Sequence, residues 1–470
     1  MKREQTIAIV GAGITGLTAA YYLQRFIEQE KLPYKLKLIE ANDRIGGKIH
    51  TNEHAGFIIE RGADSFLARK QPAVQLAETL GIDNQLVRNN TGQAYILVND
   101  RLHKMPKGSF MGIPFDLEQF FESDIISGKG KERVKQELEL SSSQHQGDQS
   151  LGGFLRYRFG DELVENVIEP LLSGVYSSDM DEMSLQATFP NFLELEQQYG
   201  SIIKGLQQTI GDKRQQTGKT VGQFYSFSNG LGTLINKLEN ELVEKVDIIY
   251  DEVTNISKIK EAYEIEMNVQ PSLQADIVLM TTPHQVLSKV FSENKIFHPL
   301  EDIPSRSVAN VALAFNQSAI DDSLDGTGFV VSRNSSYRIT ACTWTHKKWE
   351  GTTPEGKALL RAYVGQPDDQ VVVDLSDEEI INIVLNDLEK TMKLTEAPLF
   401  TVVTRWKNVM PQYSVGHQER IEEVRMQAKK ELPGMFFAGS SVEGVGIPDC
   451  IEQADNMVRT VIHYLQKKAK

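Results

Sequence analysis

Three glycines, Gly11, Gly13 and Gly16, stand directly after the apolar run of residues 7–10 and directly before a stretch with Leu17, Ala20, Leu23 and Ile27 at helical spacing. Strand, glycine turn and helix in that order form the context in which a G-x-G-x-x-G segment binds the diphosphate of a dinucleotide. Gly11 permits the tight turn, Gly13 lets the backbone approach the phosphates, and Gly16 lets helix and strand pack closely. Ala12, Ile14 and Thr15 complete the loop. The first-turn N–H groups and the helix dipole favour the anion by about 0.3–1 kcal/mol when exposed and up to about 2 when partly buried. Glu40 follows about 24 residues after Gly16, at the end of a second apolar strand. There a carboxylate accepts the hydrogen bonds of a ribose diol and repels a 2′-phosphate, which disfavours NADP. A glycine turn without ligand is the bland alternative, and strand, helix and acid together argue against it.

Other chemistries lack their residues. No HExxH and no Cys/His cluster offers a metal site, and Gly439-Ser440-Ser441 lacks the spacing of a nucleophile elbow. The nine histidines are scattered, and a lone histidine is more often structural than catalytic. The two cysteines, Cys342 and Cys450, form no CxxC and read as buried core thiols in a reducing compartment. Glu443 suits a capping or solvated role as well as a tuning one. No constellation nominates a general base, so no catalytic side chain is assigned.

These residues need a scaffold. At 470 residues the chain suits roughly three domains on the prior of about 150 residues each. Its 40% apolar and 24% charged residues are those of a globular protein, and a net charge of −14 argues against a nucleic-acid partner. The amino terminus shows no signal-peptide pattern, and no run approaches 18 apolar residues, which leaves at most peripheral membrane contact. Residues 6–40 read as one βαβ unit. Residues 71–225 are irregular, with helical stretches at 161–172 and 201–206 and polar loops at 141–150 and 211–220. Strands resume from 247 and continue through 308–315, 328–332, 338–344 and 358–364; a helix follows near 377–392. A strand at 435–438, a Gly-rich turn and a helix from about Pro448 end the chain, without internal repeats. The expected class is α/β with mixed α+β character.

The continuation of residues 40–48, with Gly56-Phe57 and residues 60–65, resembles the flavin-containing amine oxidase superfamily. There the Arg-x-Gly-Gly segment wraps the diphosphate and flavin, and a carboxy-terminal Gly-rich segment completes the ring site. The resemblance implies FAD, held by Glu40, Ala41, Arg44, Gly46, Gly47, Lys48, Gly62, Ala63, Asp64, Ser65, Gly439, Gly446, Ile447 and Pro448 as well as the first glycine loop. Residues 446–448 open the last helix, whose amino terminus then faces the N1–C2=O edge of the flavin, where negative charge gathers on reduction. Many relatives carry Asp where Ser440 stands. Residues 66–70, 169–176, 410–413 and 443–450 look like the porphyrinogen oxidases of haem biosynthesis, above all the branch from Gram-positive bacteria that oxidises coproporphyrinogen III. The likeness runs from end to end and implies a Rossmann-like FAD domain of residues 1–70, 226–297 and 405–470. It further implies a mixed-sheet substrate domain of 71–105, 191–225 and 298–404 and an inserted helical domain of 106–190. Val253 would lie by the adenine, Trp406 near the flavin and Val175 at the substrate; ordinary core packing is the alternative for the first two.

In such enzymes a hydride passes from a meso carbon to flavin N5, and molecular oxygen reoxidises the flavin to give hydrogen peroxide. Three cycles remove six electrons, with pyrrole protons lost to water. The resemblance also leaves open protoporphyrinogen IX as substrate, an amine oxidase or desaturase activity, or a non-catalytic flavin- or porphyrin-binding role. Four or two propionates must meet basic residues in an acidic protein. Arg69 and Lys70 are the best placed, Arg for its bidentate grip on carboxylates, against the alternative of a solvated surface pair. Arg333, Arg338, Lys347 and Lys348 are weaker candidates, since charged strand edges commonly serve solubility. A cytoplasmic location and other haem-pathway enzymes such as ferrochelatase as partners complete the expectation.

Overall fold

The computed structural model describes residues 5–90, 92–143, 147–211, 222–321 and 323–468. The loop expected at 211–220 lies outside them apart from its first residue, and that at 141–150 lies partly outside. Five parallel strands form one sheet in the order Asp247–Tyr250, Tyr34–Glu40, Gln5–Val10, Ile277–Met280, Met435–Phe437. Both faces are covered, which is why these strands read as apolar runs. Ile7, Ile9, Leu36, Leu38, Ile277 and Leu279 pack against the helices Ile14–Glu30, Gly232–Leu242 and Ile447–Lys468. Ala8, Val10, Ile39, Val278 and Met280 point the other way, onto the three-stranded sheet Val253–Ile259, Ala262–Met267, Leu273–Ala275 and the helices His284–Val290 and His417–Glu431. Each fully buried Ile or Leu contributes about 1.5–3 kcal/mol, an upper figure because the unfolded chain is itself partly collapsed.

A second sheet has seven strands in the order Phe400–Pro411, Ser305–Asn316, Lys357–Val364, Ile339–Trp344, Gly328–Val331, Tyr95–Val98, Arg101–Lys104. The four β-rich runs expected between 305 and 365 are its central strands. The helix expected near 377–392 is Asp377–Thr391, started by a capping box in which Ser376 and Glu379 exchange hydrogen bonds. Its Ile380, Val384 and Leu388 cover Val311, Leu313 and Phe315. The alternate residues Asn310, Ala312 and Ala314 line the opposite face. Directly opposed residues share a face, so Tyr363, Arg361 and Leu359 on one neighbour and Thr404, Val402 and Phe400 on the other join them. That face lies against the hairpin Thr51–His54 and Phe57–Glu60, with Phe57, Ile59, Ala312, Ala314 and Leu359 packed between.

Short helices between Leu117–Phe121 and Ile202–Leu206 surround a separate core of Phe120, Phe154, Leu155, Phe159, Phe192 and Ile203. This core runs beyond residue 190, because Pro190–Tyr199 and Ile202–Leu206 close over it. Arg158 ties it together, with Nε 3.0 Å from Glu137 and Nη1 3.4 Å from Glu196, all three side chains fully buried. Glu137 also accepts the Ile202 N–H at 2.8 Å. Both cysteines are buried and free. No helix among the described residues is long and apolar enough to cross a membrane.

Candidate functional site

The first strand delivers the chain into a turn that only glycine tolerates at two points. Gly11 has φ +100°, and a Cβ at Gly16 would sit 1.9 Å from the Gly11 carbonyl oxygen. Gly13 differs: its backbone is extended, and a Cβ there would meet nothing within 4 Å. The glycine at that place leaves an open cradle rather than relieving a clash. The helix Ile14–Glu30 starts at Gly13 with no side-chain cap and no acid in its first turn, so the N–H groups of Ile14, Thr15 and Gly16 remain for an anion.

The Arg44–Lys48 loop closes over this cradle. Gly46 N–H donates to the Ala12 carbonyl at 2.8 Å, and Gly47, at φ +56°, lies against Gly13. Arg44 braces its own loop, donating to the carbonyls of Gly47 at 2.7 Å and Ile45 at 3.2 Å. Glu40 accepts the N–H of Ala12 at 2.8 Å and, from Asn42, the N–H at 3.0 Å and the side-chain Nδ2 at 2.5 Å, which leaves an acceptor position for one ribose hydroxyl. Ala41 is exposed beside it. Asp251 N–H donates to the Glu40 carbonyl at 2.8 Å, which sets buried Val253 next to the end of this strand.

At the other end, the carboxy-terminal loop passes under Lys48. Its Nζ donates to Ser440 Oγ at 3.0 Å and to the Val409 carbonyl at 3.1 Å. Desolvation lowers the Lys48 pKa, and no carboxylate pairs with it among the described residues. Ser440 therefore stands where a neutral oxygen meets the ammonium. Gly439, at φ +132°, donates to Gln453 Oε1 at 3.0 Å. Tyr413 Oη donates to the Ser440 carbonyl at 2.7 Å and stacks at 4.1 Å on His417, whose Nε2 lies 3.0 Å from the Val442 carbonyl. Burial depresses the His417 pKa to about 4, leaving a neutral ring with its proton on Nε2. His284 likewise supports Ser441, with Nδ1 3.1 Å from its Oγ. Both histidines are props for the loop. Gly446, Ile447 and Pro448 lead from it into the terminal helix.

The segment from Glu60 to Ser65 forms the floor between the two sheets. A Cβ at Gly62 would sit 1.9 Å from the Lys48 carbonyl and 3.3 Å from Trp406 Cζ2. Trp406 Nε1 donates to the Arg61 carbonyl at 2.8 Å. Asp64 turns toward the second sheet, 2.8 Å from Lys348 Nζ and 3.3 Å from Arg361 Nη1; Ser65 Oγ donates to it at 2.7 Å and Ala63 lies between. Burial opposes ionisation of Asp64, but the two cations outweigh it and hold the carboxyl below the usual range. Arg361, fully buried, also donates to the Gly62 carbonyl at 2.7 Å. Arg361 was not singled out from sequence; its signal is a cation at mid-strand in Lys-Ala-Leu-Leu-Arg-Ala-Tyr-Val.

The six basic candidates for a substrate carboxylate separate sharply. Lys70 pairs with Asp449, Arg333 with Glu169 at 2.7 Å, Arg338 with Asp369 at 2.7 Å and Lys348 with Asp64. Lys347 donates to the Leu324 carbonyl at 2.5 Å. Arg69 is exposed, carries its guanidinium 5.5 Å over the Phe110 ring and has no carboxylate partner among the described residues. Val175 lies in the helix Glu169–Tyr176, with its side chain outside the described set. Glu443 pairs with Arg425.

Residues 14–462 match the family model described as flavin containing amine oxidoreductase. The chain is 48% identical over 466 residues to coproporphyrinogen III oxidase of Bacillus subtilis strain 168, covering 98% of this chain and 99% of the relative. It is 43% identical to coproporphyrinogen III oxidase of Staphylococcus aureus, covering 97% and 99%. A crystal structure from Exiguobacterium sp. 255-15 superposes with a TM-score of 0.88 at 38% identity, covering 98% of this chain and 99% of that one. Putrescine oxidase, at TM-score 0.69 and 15% identity with 98% and 99% covered, shares the fold alone. On the extent of the family match and these near full-length identities, the chain belongs to the flavin-containing amine oxidoreductase family.

Proposed function

We propose that this protein is an FAD-dependent oxidase that converts coproporphyrinogen III to coproporphyrin III in haem biosynthesis, reducing three molecules of oxygen to hydrogen peroxide. The observation that carries the reading is the 48% identity to the Bacillus subtilis coproporphyrinogen III oxidase, extended over practically the whole of both chains. The residues present fit the cofactor. The open cradle at Gly13, the uncapped helix start and the loop of Gly46 and Gly47 suit its diphosphate, and Glu40 suits its ribose. Lys48, Gly62, Ala63, Trp406, Gly439, Ser440 and the turn of Gly446, Ile447 and Pro448 would hold the flavin end, with Val253 at the adenine. FAD bound there supplies the two-electron acceptor.

The protein's own work is binding, orientation and exclusion. Arg69 offers a guanidinium with no carboxylate partner among the described residues, and Phe110 beneath it limits where a propionate sits. Val175 belongs to the same substrate side. No side chain is assigned as base, and the pyrrole protons leave to water. We divide the chain as residues 1–70, 226–297 and 405–470 for the cofactor, 71–105, 207–225 and 298–404 for the substrate, and 106–206 for the helical insert, whose core takes in Phe192, Ile203 and Leu206. We place the protein in the cytoplasm, with other haem-pathway enzymes such as ferrochelatase as takers of the product.

A second reading is protoporphyrinogen IX as substrate. Among the described residues Arg69 alone of the six candidates has neither a carboxylate nor a carbonyl partner, and a single open cation does not select four carboxylates over two. The purified protein, loaded with FAD and mixed in air with each porphyrinogen, separates the two by porphyrin fluorescence. A higher kcat/KM for coproporphyrinogen III supports the proposal, and a preference for protoporphyrinogen IX replaces it with the second reading.

A further inference from the structure

We propose that the Lys70–Asp449 ion pair is a latch that positions the turn of residues 444–448 against the cofactor, so that Lys70 is a positioning residue and not a carboxylate anchor. The inference rests on the FAD reading above. Lys70 occupies the N-cap position of the helix Gln71–Thr79, and its side chain makes no cap there. Its Nζ instead reaches Asp449, in the first turn of the terminal helix Ile447–Lys468 and 379 positions away in the chain. The contact joins the end of the amino-terminal cofactor segment to the first turn of the terminal helix.

Asp449 is itself folded onto the turn. A Cβ at Gly444, where φ is +72°, would come within 2.8 Å of Asp449 Cβ and Cγ; one at Gly446 would lie 2.7 Å from its Oδ2. Both glycines are needed because the carboxylate occupies the space that side chains would take. From the helix side Gln453 holds the same turn, accepting the Gly439 N–H at 3.0 Å and donating to the Glu443 carbonyl. Of these two holds, only the Asp449 one depends on a residue outside the carboxy-terminal segment, and that residue is Lys70. Without the ammonium, Asp449 has no fixed cation among the described residues to hold its rotamer over the turn. A substrate carboxylate reaching for Lys70 would compete with a carboxylate already tethered beside it, whereas neighbouring Arg69 has no such competitor.

The test is titration of the FAD-stripped protein with FAD, read by flavin fluorescence, for wild type, Lys70→Met, Lys70→Arg and Asp449→Asn. Lys70→Met and Asp449→Asn should each raise the FAD dissociation constant about three- to tenfold, as expected for a partly exposed pair that also orders a loop. Lys70→Arg should recover most of that loss, a rescue that loss of packing alone would not give. At saturating FAD, Lys70→Met should keep the wild-type KM for the porphyrinogen. Wild-type FAD affinity in Lys70→Met, with a raised KM, would overturn the latch and return Lys70 to the substrate. Failure of the wild-type protein to bind FAD at all would instead remove the cofactor reading on which the latch rests.

Discussion

Burial of Glu60 should make the stability of the protein depend on pH near neutrality. This glutamate lies two residues before Gly62, is 6% exposed, and accepts hydrogen bonds from Leu231 N–H at 2.6 Å and Thr51 Oγ1 at 2.7 Å. Burial outweighs these bonds and the nearby Arg361 and raises its pKa from 4.5 to about 7. At about 1.36 kcal/mol per pH unit, that rise corresponds to roughly 3 kcal/mol. The sign follows from proton binding. Below the unfolded value both states carry the proton and pH has no effect through this group; between it and 7 the unfolded chain ionises first, so stability falls as pH rises. Above 7 the whole cost is present. Glu60→Gln keeps the shape and remains neutral at every pH. We expect urea-induced release of flavin fluorescence from wild type to shift to lower urea between pH 5 and 8, while the variant loses most of that shift and is the more stable protein at pH 8. Parallel pH dependence of the two proteins would refute the assignment of a buried carboxyl titrating near neutrality.

Gly13→Ala should fold with near wild-type stability, because its Cβ meets no atom, yet lose FAD affinity in the same fluorescence titration; Gly16→Ala, which meets a carbonyl at 1.9 Å, should lose folded protein in circular dichroism. Lys48→Met should weaken FAD binding, since the ammonium donates to the Val409 carbonyl and Ser440 Oγ, pairs with no carboxylate among the described residues and can balance an anionic ligand; affinity equal to wild type would contradict that placement. Arg69→Ala should raise the KM for the porphyrinogen about two- to fivefold with kcat and FAD content unchanged, the size expected for an exposed charge pair. Arg361→Met leaves Asp64 with Lys348 and Ser65 but strips the Gly62 carbonyl of its donor, and should destabilise the protein by about 1–3 kcal/mol, seen as a lower thermal midpoint of flavin release.

What the sequence revealed was governed by local rules. The glycine turn, the strand that ends at Glu40, the other strands of the first sheet and the four central strands of the second follow from turn sterics and burial periodicity, whereas Tyr95–Val98 and Arg101–Lys104, in a stretch that reads as irregular, and Phe400–Pro411 do not. The residues that escaped are held by contacts between distant segments. Arg361 reaches Gly62 and Asp64 only because the register Ala312 to Arg361 turns it toward the first domain. Lys70 meets Asp449 across nearly the whole chain, and no spacing rule links them. His284 and His417 looked like scattered structural residues and are that, but their service to the carboxy-terminal loop depends on packing that composition does not encode. Lys348, a weak substrate candidate by strand-edge reasoning, is consumed by Asp64.

The central claim is oxygen-dependent oxidation of a four-carboxylate porphyrinogen, and stoichiometry tests it most directly. The FAD-loaded protein should convert coproporphyrinogen III to coproporphyrin III with three hydrogen peroxide formed per porphyrin, and the rate should exceed that with protoporphyrinogen IX. Substrate-independent peroxide, or flavin that binds but leaves coproporphyrinogen III unchanged in air, would contradict it.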